Sequence, residues 1–331
     1  MTRPTHPRRL RLRQRGAALL AAMLTVTLVA TLAAAGLWQQ WRSVEVEAAE
    51  RARIQASWIL TGALDWARLI LREDARSGGA DHLAEPWAVP LQEARLSTFL
   101  AADRGSATVG TDAENVFLSG DIVDMQSRLN VNNLVEGSRI SEPGLRAFQR
   151  LFQTLGLPDA ELNQLAQGLR EAANIATDGA SSTAPLMPQT VQQLGWLGLS
   201  PGTVAALQPY VAVLPARTPV NLNTASPQVI YAAVDGIELA DAQQLVAARE
   251  SRPFRTLADA SNVLASREQG LGSGMAGVAS RFFEIRGRLR IDDTVIEERS
   301  LVQRDGLNVR TLQRDHSVLG LGSTAEQGGP R

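Results

Sequence analysis

The side chains able to do chemistry are few in this sequence and poorly placed for it. His6, His82 and His316 lie far apart, and there is no cysteine and no lysine, so every basic residue is an arginine. That pattern excludes thiol catalysis, iron–sulfur ligation, the common structural zinc sites, Schiff-base lysines and the phosphate-cradling P-loop. No HExxH or GxSxG occurs, which leaves no recognisable hydrolytic centre. What remains is a run of oxygen donors: Asp121 and Asp124, followed by Asn130, Asn132 and Asn133. Calcium takes about six to eight oxygens, several of them carboxylates. Two carboxylates with three amides are a thin set for it, and the same amides can instead close turns on their own backbone. Gly270, Gly272, Gly274 and Gly277 lack the spacing of a dinucleotide loop, and the segment reads as a flexible loop.

The composition agrees with a non-catalytic role. The chain of 331 residues is 44% apolar, with 33 basic against 34 acidic residues, enough for two or three packed domains and without a global footprint for nucleic acid. The neutrality hides one asymmetry. Residues 1–16 hold six arginines and no acid, and the first carboxylate of the chain is Glu45. Ala17 to Trp38 is an uncharged apolar run of 22 residues. As a helix it is about 33 Å long, the thickness of a bilayer's hydrocarbon core. The arginines place its start in the cytoplasm by the positive-inside rule, with Trp38 and Trp41 at the far interface. A secretory signal with an A-x-A site at Ala33–Ala35 is the competing reading. Against it, Val44, Ala48, Ala52, Ala56, Ile59, Ala63, Trp66 and Ile70 continue the helix with an amphipathic stripe, and only Gly62 interrupts an otherwise proline-free and glycine-free stretch to Arg76.

The elements that follow alternate between two periods. Val116–Leu118 reads as a strand, as does Ala107–Val109. Leu145, Phe148, Leu151, Phe152 and Leu155 mark one helix, ended by Gly156, and Pro158 opens a second. Short helices are predicted around 189–195 and 201–209. Ser226 caps a helix that starts at Pro227, and Asp235-Gly236-Ile237 joins it to another bearing Leu239, Ala242, Leu245 and Val246. Beyond 280, Phe283, Ile285, Leu289 and Ile291 alternate with Arg286, Arg288 and Arg290, the first of three strands joined by turns at Asp292-Asp293 and Asp305-Gly306.

Two segments carry resemblances. Arg13-Gln14-Arg15-Gly16-Ala17-Ala18-Leu19-Leu20 resembles the leader junction of type IV pilins and type II secretion pseudopilins. That resemblance implies cleavage between Gly16 and Ala17 by prepilin peptidase, with methylation of the new N-terminus. Those families normally carry glutamate as the fifth residue after the cut, where this chain has Ala21. An unpaired carboxylate in lipid costs about 2.5–3.5 kcal/mol, and a subunit with nothing above it has no amine to offset that cost. The pseudopilin lacking this glutamate is the large minor subunit, so the chain is similar to the family of general secretion pathway protein K, and Gly120–Leu134 is similar to that family's entry into its inserted domain. The likeness implies calcium as a ligand, with Asp121 and Asp124 as carboxylates. It also implies partners: the I- and J-type minor pseudopilins, the inner membrane and exported proteins. The second resemblance, Pro219–Pro227 with its hairpin, is to the helix-hairpin-helix module of DNA-uptake receptors. There Arg249, Arg252 and Arg255 stand against Asp235, Glu238, Asp241, Glu250 and Asp259, so three minus five gives −2 and nucleic acid is not expected.

The expected fold is α+β: a long transmembrane and amphipathic helix packed on an antiparallel, pilin-like sheet, interrupted by a large, mainly α-helical inserted domain. The expected boundaries are a leader at 1–16, a transmembrane helix at 17–38, its periplasmic continuation at 39–76 and the first part of the pilin-like domain at 77–131. The insert then covers 132–280, the C-terminal strands 281–312, and a disordered tail 313–331. No enzymatic activity is expected. The implied role is assembly and capping at the tip of a secretion pseudopilus, with the body in the periplasm; a membrane-anchored DNA receptor is the alternative.

Overall fold

The computed structural model describes residues 15–98, 115–178, 185–264, 271–272, 274–291 and 294–320. The chain divides into two compact units, Met1–Ile59 and Leu60–Arg331. The first holds most of helix α1 (Arg15–Ser77). It includes an apolar stretch of mean hydropathy 2.2, long enough to cross a membrane and with none of its surface buried by protein. A helix that is apolar all round with no protein against it is what a bilayer accommodates.

The second unit is built on a five-stranded sheet of order β1-β2-β9-β10-β11. Its strands are β1 (Leu91–Arg95), β2 (Val116–Asp124), β9 (Phe282–Ile291), β10 (Thr294–Asp305) and β11 (Asn308–Gly320), all antiparallel to their neighbours. Between β2 and β9 in chain order lie the two-residue strands β3 (Leu129–Asn130), β4 (Val135–Glu136), β5 (Arg139–Ile140), β6 (Val211–Ala212), β7 (Val220–Asn221) and β8 (Ala276–Gly277), which pair outside this sheet. The two-residue period decides the faces. On one face Phe283, Ile285, Val302 and Val309 pack against Leu64, Ala67 and Leu71 of α1 and against Trp87. The Trp87 ring meets Phe283 edge-on, centroids 5.2 Å apart. The opposite face carries the alternate residues, among them Asp121, Glu284, Arg286, Arg288, Glu297 and Arg299.

Between β2 and β9 the chain leaves the sheet and builds a separate layer with the larger core, around Phe148, Leu151, Phe152, Leu165, Leu222 and Ile230. Its helices are α2 (Glu142–Leu155), α3 (Asp159–Asp178), α4 (Pro201–Leu207), α5 (Pro227–Ala233), α6 (Leu239–Ser251) and α7 (Leu257–Val263). Helix α2 buries the 3–4 spaced Phe148, Leu151 and Phe152 and stops at Gly156, whose φ of 66° is a left-handed cap that glycine adopts without strain. Its first turn lies so close to the preceding chain that a Cβ on Gly144 would fall 2.0 Å from the carbonyl oxygen of Asn133. The Asp235-Gly236 hairpin forms as expected between α5 and α6, with Gly236 at φ 78°.

Several boundaries differ from the sequence expectation. The sheet is left at Asp124, so residues 125–131 belong to the inserted layer and not to the first part of the pilin-like domain. The two-residue strand Leu129–Asn130 pairs in parallel with Val211–Ala212 deep in the insert. Within the glycine-rich stretch expected as a loop, Ala276–Gly277 forms a short parallel pair with Val220–Asn221, because Met275 and Ala276 are apolar and buried. The segment around 189–195 is a 3-10 helix, Val191–Leu197. Strand β11 runs on to Gly320, so Gln313–Gly320 is strand and not disordered tail: Arg314 and His316 pair with the buried Glu298 and hold the extension on β10. The leader through Gln14, the strand expected at 107–109, the Asp292-Asp293 turn and the tail beyond Gly320 lie outside the described residues.

Candidate functional site

The densest polar construction in the molecule sits where the insert leaves and re-enters the sheet. Asp124 ends β2 and Ser280 precedes β9, so two short side chains close the neck of a long excursion. The Asp124 carboxylate is fully buried, and its two oxygens accept from Gln126 N at 2.8 Å, Thr224 Oγ1 at 2.6 Å, Ser280 Oγ at 2.7 Å and Asn221 Nδ2 at 3.0 Å. Burial pushes this carboxyl above the usual carboxylate range, and the Thr224, Ser280 and Gln126 contacts oppose that without reversing it. Asn221 also donates to Ser280 Oγ and to the carbonyl of Asp81.

A second layer ties helix α1 to the same neck. Arg304 of β10 bridges Asp74, at 2.7 Å, and Asp81, donates to the carbonyl of Ser280 at 2.9 Å and stacks over Phe283 at 4.8 Å. Asp81 accepts from Ser280 N at 2.6 Å. Burial raises the Asp81 carboxyl, and Arg304 opposes that rise. Asp74, Asp81 and Glu85 are the carboxylates that come together among the described residues. Their oxygens are held by Arg304, by Trp87 Nε1 and by the amide of His82.

The expected calcium pair is not assembled. At Asp124 three donors, from Asn221, Thr224 and Ser280, converge on Oδ2, and Gln126 N meets Oδ1. Asp121 points to the other sheet face beside the Arg286 guanidinium at 3.8 Å, a neighbour that opposes a dication. The asparagines do what short amides do in turns. Asn130 Oδ1 accepts from Asn132 N at 3.0 Å and Asn221 Oδ1 from Asn223 N at 3.0 Å, the same i to i+2 closure that Asp124 makes with Gln126. Their amide groups then stitch distant segments: Asn130 to Ala216, Asn133 to Thr218, Asn223 to Phe254. Asp121 and Asp124 therefore lie on opposite faces of β2 and do not converge on one point.

The helix-hairpin-helix segment is turned inward. Asp235 pairs with Arg150 at 2.9 Å and Arg146 at 3.5 Å, and Arg150 donates to the carbonyls of Val234 and Ala232 at 2.8 Å each. In a phosphate-binding hairpin the tip would be left for the ligand; here helix α2 covers it with its own arginines. Gly16 and Ala17 lie at the start of α1, and Ala17, Ala18, Ala21 and Ala22 are spaced to share one side of it, all four exposed. The neck, which no single motif announces, was not anticipated. The repeated Asn-x-Asn pattern at 130–132 and 221–223 was its one visible trace.

Comparison with known proteins fits this arrangement. Family models described as type II secretion system (T2SS), protein K match residues 127–216 and 220–278. The type II secretion system protein K of Pseudomonas aeruginosa strain PAO1 is 29% identical over 324 residues, covering 91% of this chain and 89% of that protein. That of Klebsiella pneumoniae is 28% identical over 335 residues, covering 92% and 97%. Among solved structures, a chain of the GspK-GspI-GspJ complex from the enterotoxigenic Escherichia coli type 2 secretion system superposes with a TM-score of 0.62 at 18% identity, covering 81% of this chain and 98% of that one. A long apolar N-terminal helix, an antiparallel sheet packed on its later turns and a helical layer inserted into that sheet together define a large pilin-like subunit. These matches make the chain similar to the type II secretion system protein K family, and they support a minor pseudopilin of that system.

Proposed function

We propose that this subunit sits at the tip of the secretion pseudopilus, starting its assembly and capping it. The single observation behind this reading is Ala21. From Gly16 to Val44 the helix carries no carboxylate at all, so it offers nothing to the free amine of a subunit stacked above it. Leaving the carboxylate out spares this helix a desolvation cost of about 2.5–3.5 kcal/mol that only such a partner would offset. Prepilin peptidase would release residues 1–16. The mature helix would then lie in the inner membrane, body outward, packing its small residues Ala17, Ala18, Ala21 and Ala22 on the I- and J-type minor pseudopilins. Supporting this, the superposed solved chain comes from a complex that contains GspI and GspJ. No catalytic step is assigned to the chain, and contact with exported protein is part of the reading.

The absence of native cysteine makes the test direct. In cells, Ala22→Cys should cross-link to a cysteine placed in the apolar helix of an I- or J-type partner, and mass spectrometry should find mature protein starting at methylated Ala17 only when the peptidase is present. A mature start at Gly36, or a further pseudopilin cross-linked above this one in an assembled fibre, would overturn the proposal.

A further inference from the structure

The polar face of the sheet and the edge of the insert enclose a cavity of about 580 Å³, within the range of about 300–1,000 Å³ typical of ligand sites. Three guanidiniums line it: Arg128 from the start of the insert, Arg286 from β9 and Arg299 from β10. Register places Arg286 beside Arg299, and Arg299 beside Asp315 of β11, in one cross-strand row. Arg286 spends its Nε on Glu284 at 2.5 Å, and Arg299 spends its Nε on Glu297 at 2.5 Å. The terminal nitrogens of both make no hydrogen bond among the described residues, and Arg286 Nη1 lies 3.8 Å from Asp121 at the far end of the row. Asp315, which lines the cavity together with Glu284, accepts from Gln313 at 2.9 Å.

Arg128 is the anomaly. Burial lowers the basicity of three arginines in this molecule, Arg128, Arg150 and Arg249. Arg150 compensates by donating to two carbonyls and pairing with Asp235, and Arg249 by donating to the carbonyls of Leu222 and Ala225. Arg128 has neither hydrogen bond nor ion pair among the described residues; Glu284 acts on it only through space. The Arg128 guanidinium is part exposed, and none of its nitrogens is sealed in without a partner, so the donors stand open toward the cavity for an anion delivered from outside.

We propose that this cavity binds a carboxylate side chain carried by an extended segment of a second polypeptide, with Arg128 as the primary contact and Arg286 and Arg299 flanking it. The lining argues for peptide over a bare inorganic anion. The space greatly exceeds one sulfate, and the side-chain amides of Gln189, Gln192 and Gln208 present both donors and acceptors of the kind a peptide backbone uses. Strand β11 is also an edge of the sheet, where an extended chain finds unpaired main-chain groups.

The test uses the full-length protein in detergent and fluorescence anisotropy of a labelled hexapeptide containing two glutamates, compared with its glutamine twin. The glutamate peptide should bind and the twin should bind at least tenfold more weakly. Arg128→Gln should lose at least tenfold in affinity, while Arg252→Gln, an exposed arginine outside the cavity, should leave it unchanged. Equal binding of the two peptides, or Arg128→Gln binding like the unaltered protein, overturns the proposal. So does full displacement of the peptide by an equal concentration of sulfate, which would assign the site to an inorganic anion. A separate readout distinguishes ligand binding from a structural role: Arg128→Met should melt at the same temperature as the unaltered protein or higher. A melting point lowered by several degrees would make Arg128 a structural residue and end the argument.

Discussion

The residue that organises the body is Asp124, and its neighbour three positions earlier shows why position outweighs type. Both are aspartates on β2, yet Asp124 is buried and accepts from four donors, while Asp121 faces a part-exposed arginine across 3.8 Å. Removing the first takes the acceptor from the hydroxyls of Thr224 and Ser280 and from the amide of Gln126 in a buried neck. Asp124→Ala is therefore expected to cost about 2–4 kcal/mol, from several buried groups left unpaired at about 1–3 kcal/mol each with partial relaxation. Asp121→Ala is expected to cost less than about 1 kcal/mol, as for a solvent-screened pair. Denaturant unfolding of the two variants checks the contrast, and equal losses would mean that the neck is not what it looks. The sequence shows Asp124 as an acid at the end of a strand, but its partners Thr224 and Ser280 are 100 and 156 residues away and cannot be read from local spacing.

At the scale of elements, the polar face of the sheet is held by an alternating ladder whose centre is Glu297 of β10. Its side chain is buried between Arg288 and Arg299, each donating Nε at 2.5 Å. Burial alone would raise its carboxyl, but the two guanidiniums more than offset that and hold it below the usual glutamate range. A depressed folded value means the pairing stabilises the fold above the unfolded pKa of about 4.3 and is lost as pH falls through the folded one. Glu297→Gln should therefore cost about 1–2 kcal/mol at neutral pH, the low end for charged hydrogen bonds because both arginines are part exposed. The gap in melting temperature between this variant and the unaltered protein should close as pH is lowered below about 4, and a gap independent of pH would refute the assignment. Packing of α2 gives a second check. Gly144→Ala should cost about 1–3 kcal/mol, since the added methyl overlaps the Asn133 carbonyl and the helix must shift. Strongly periodic elements were legible in advance: the long helix, the Ser226 cap, the Gly156 stop and the alternating strands past 280 all follow from local spacing. The two-residue parallel strands were not, because a pair such as Val220–Asn221 with Ala276–Gly277 has no period of its own and forms only once distant chain is brought alongside. The end of β11 was missed for a related reason. Gln313–Gly320 looks polar and tail-like, and only the buried Glu298 on its neighbour explains why Arg314 and His316 hold it in the sheet.

At the scale of the body from Leu60 onward, two cores share one neck. The insert has its own apolar centre around Phe148 and Ile230, the helix–sheet layer has another around Leu71 and Phe283, and yet Leu60–Arg331 forms one compact unit. What couples them is in part polar, through Asp124, Asn221 and Ser280 across the neck with Arg304 fastening Asp74 and Asp81 to it, and in part a small apolar cluster in which Met125, Ala212 and Leu214 meet Phe282 and Leu301. Hydrophobic cores of this size would each unfold cooperatively if they were independent, so the neck decides whether the body melts once or twice. The unaltered protein is expected to show a single transition for the body, coincident by far-ultraviolet circular dichroism and tryptophan fluorescence. The two probes weigh the layers differently, because the buried tryptophan is Trp87 of the helix–sheet core and Trp196 of the insert is already exposed, while most helix outside α1 lies in the insert. The double variant Asn221→Leu with Ser280→Ala removes the cross-neck bonds while leaving both apolar centres intact, and it should separate the fluorescence and dichroism midpoints by several degrees. Coincident midpoints in that variant would show that apolar contact alone binds insert to sheet and that the buried polar neck contributes nothing to their cooperativity.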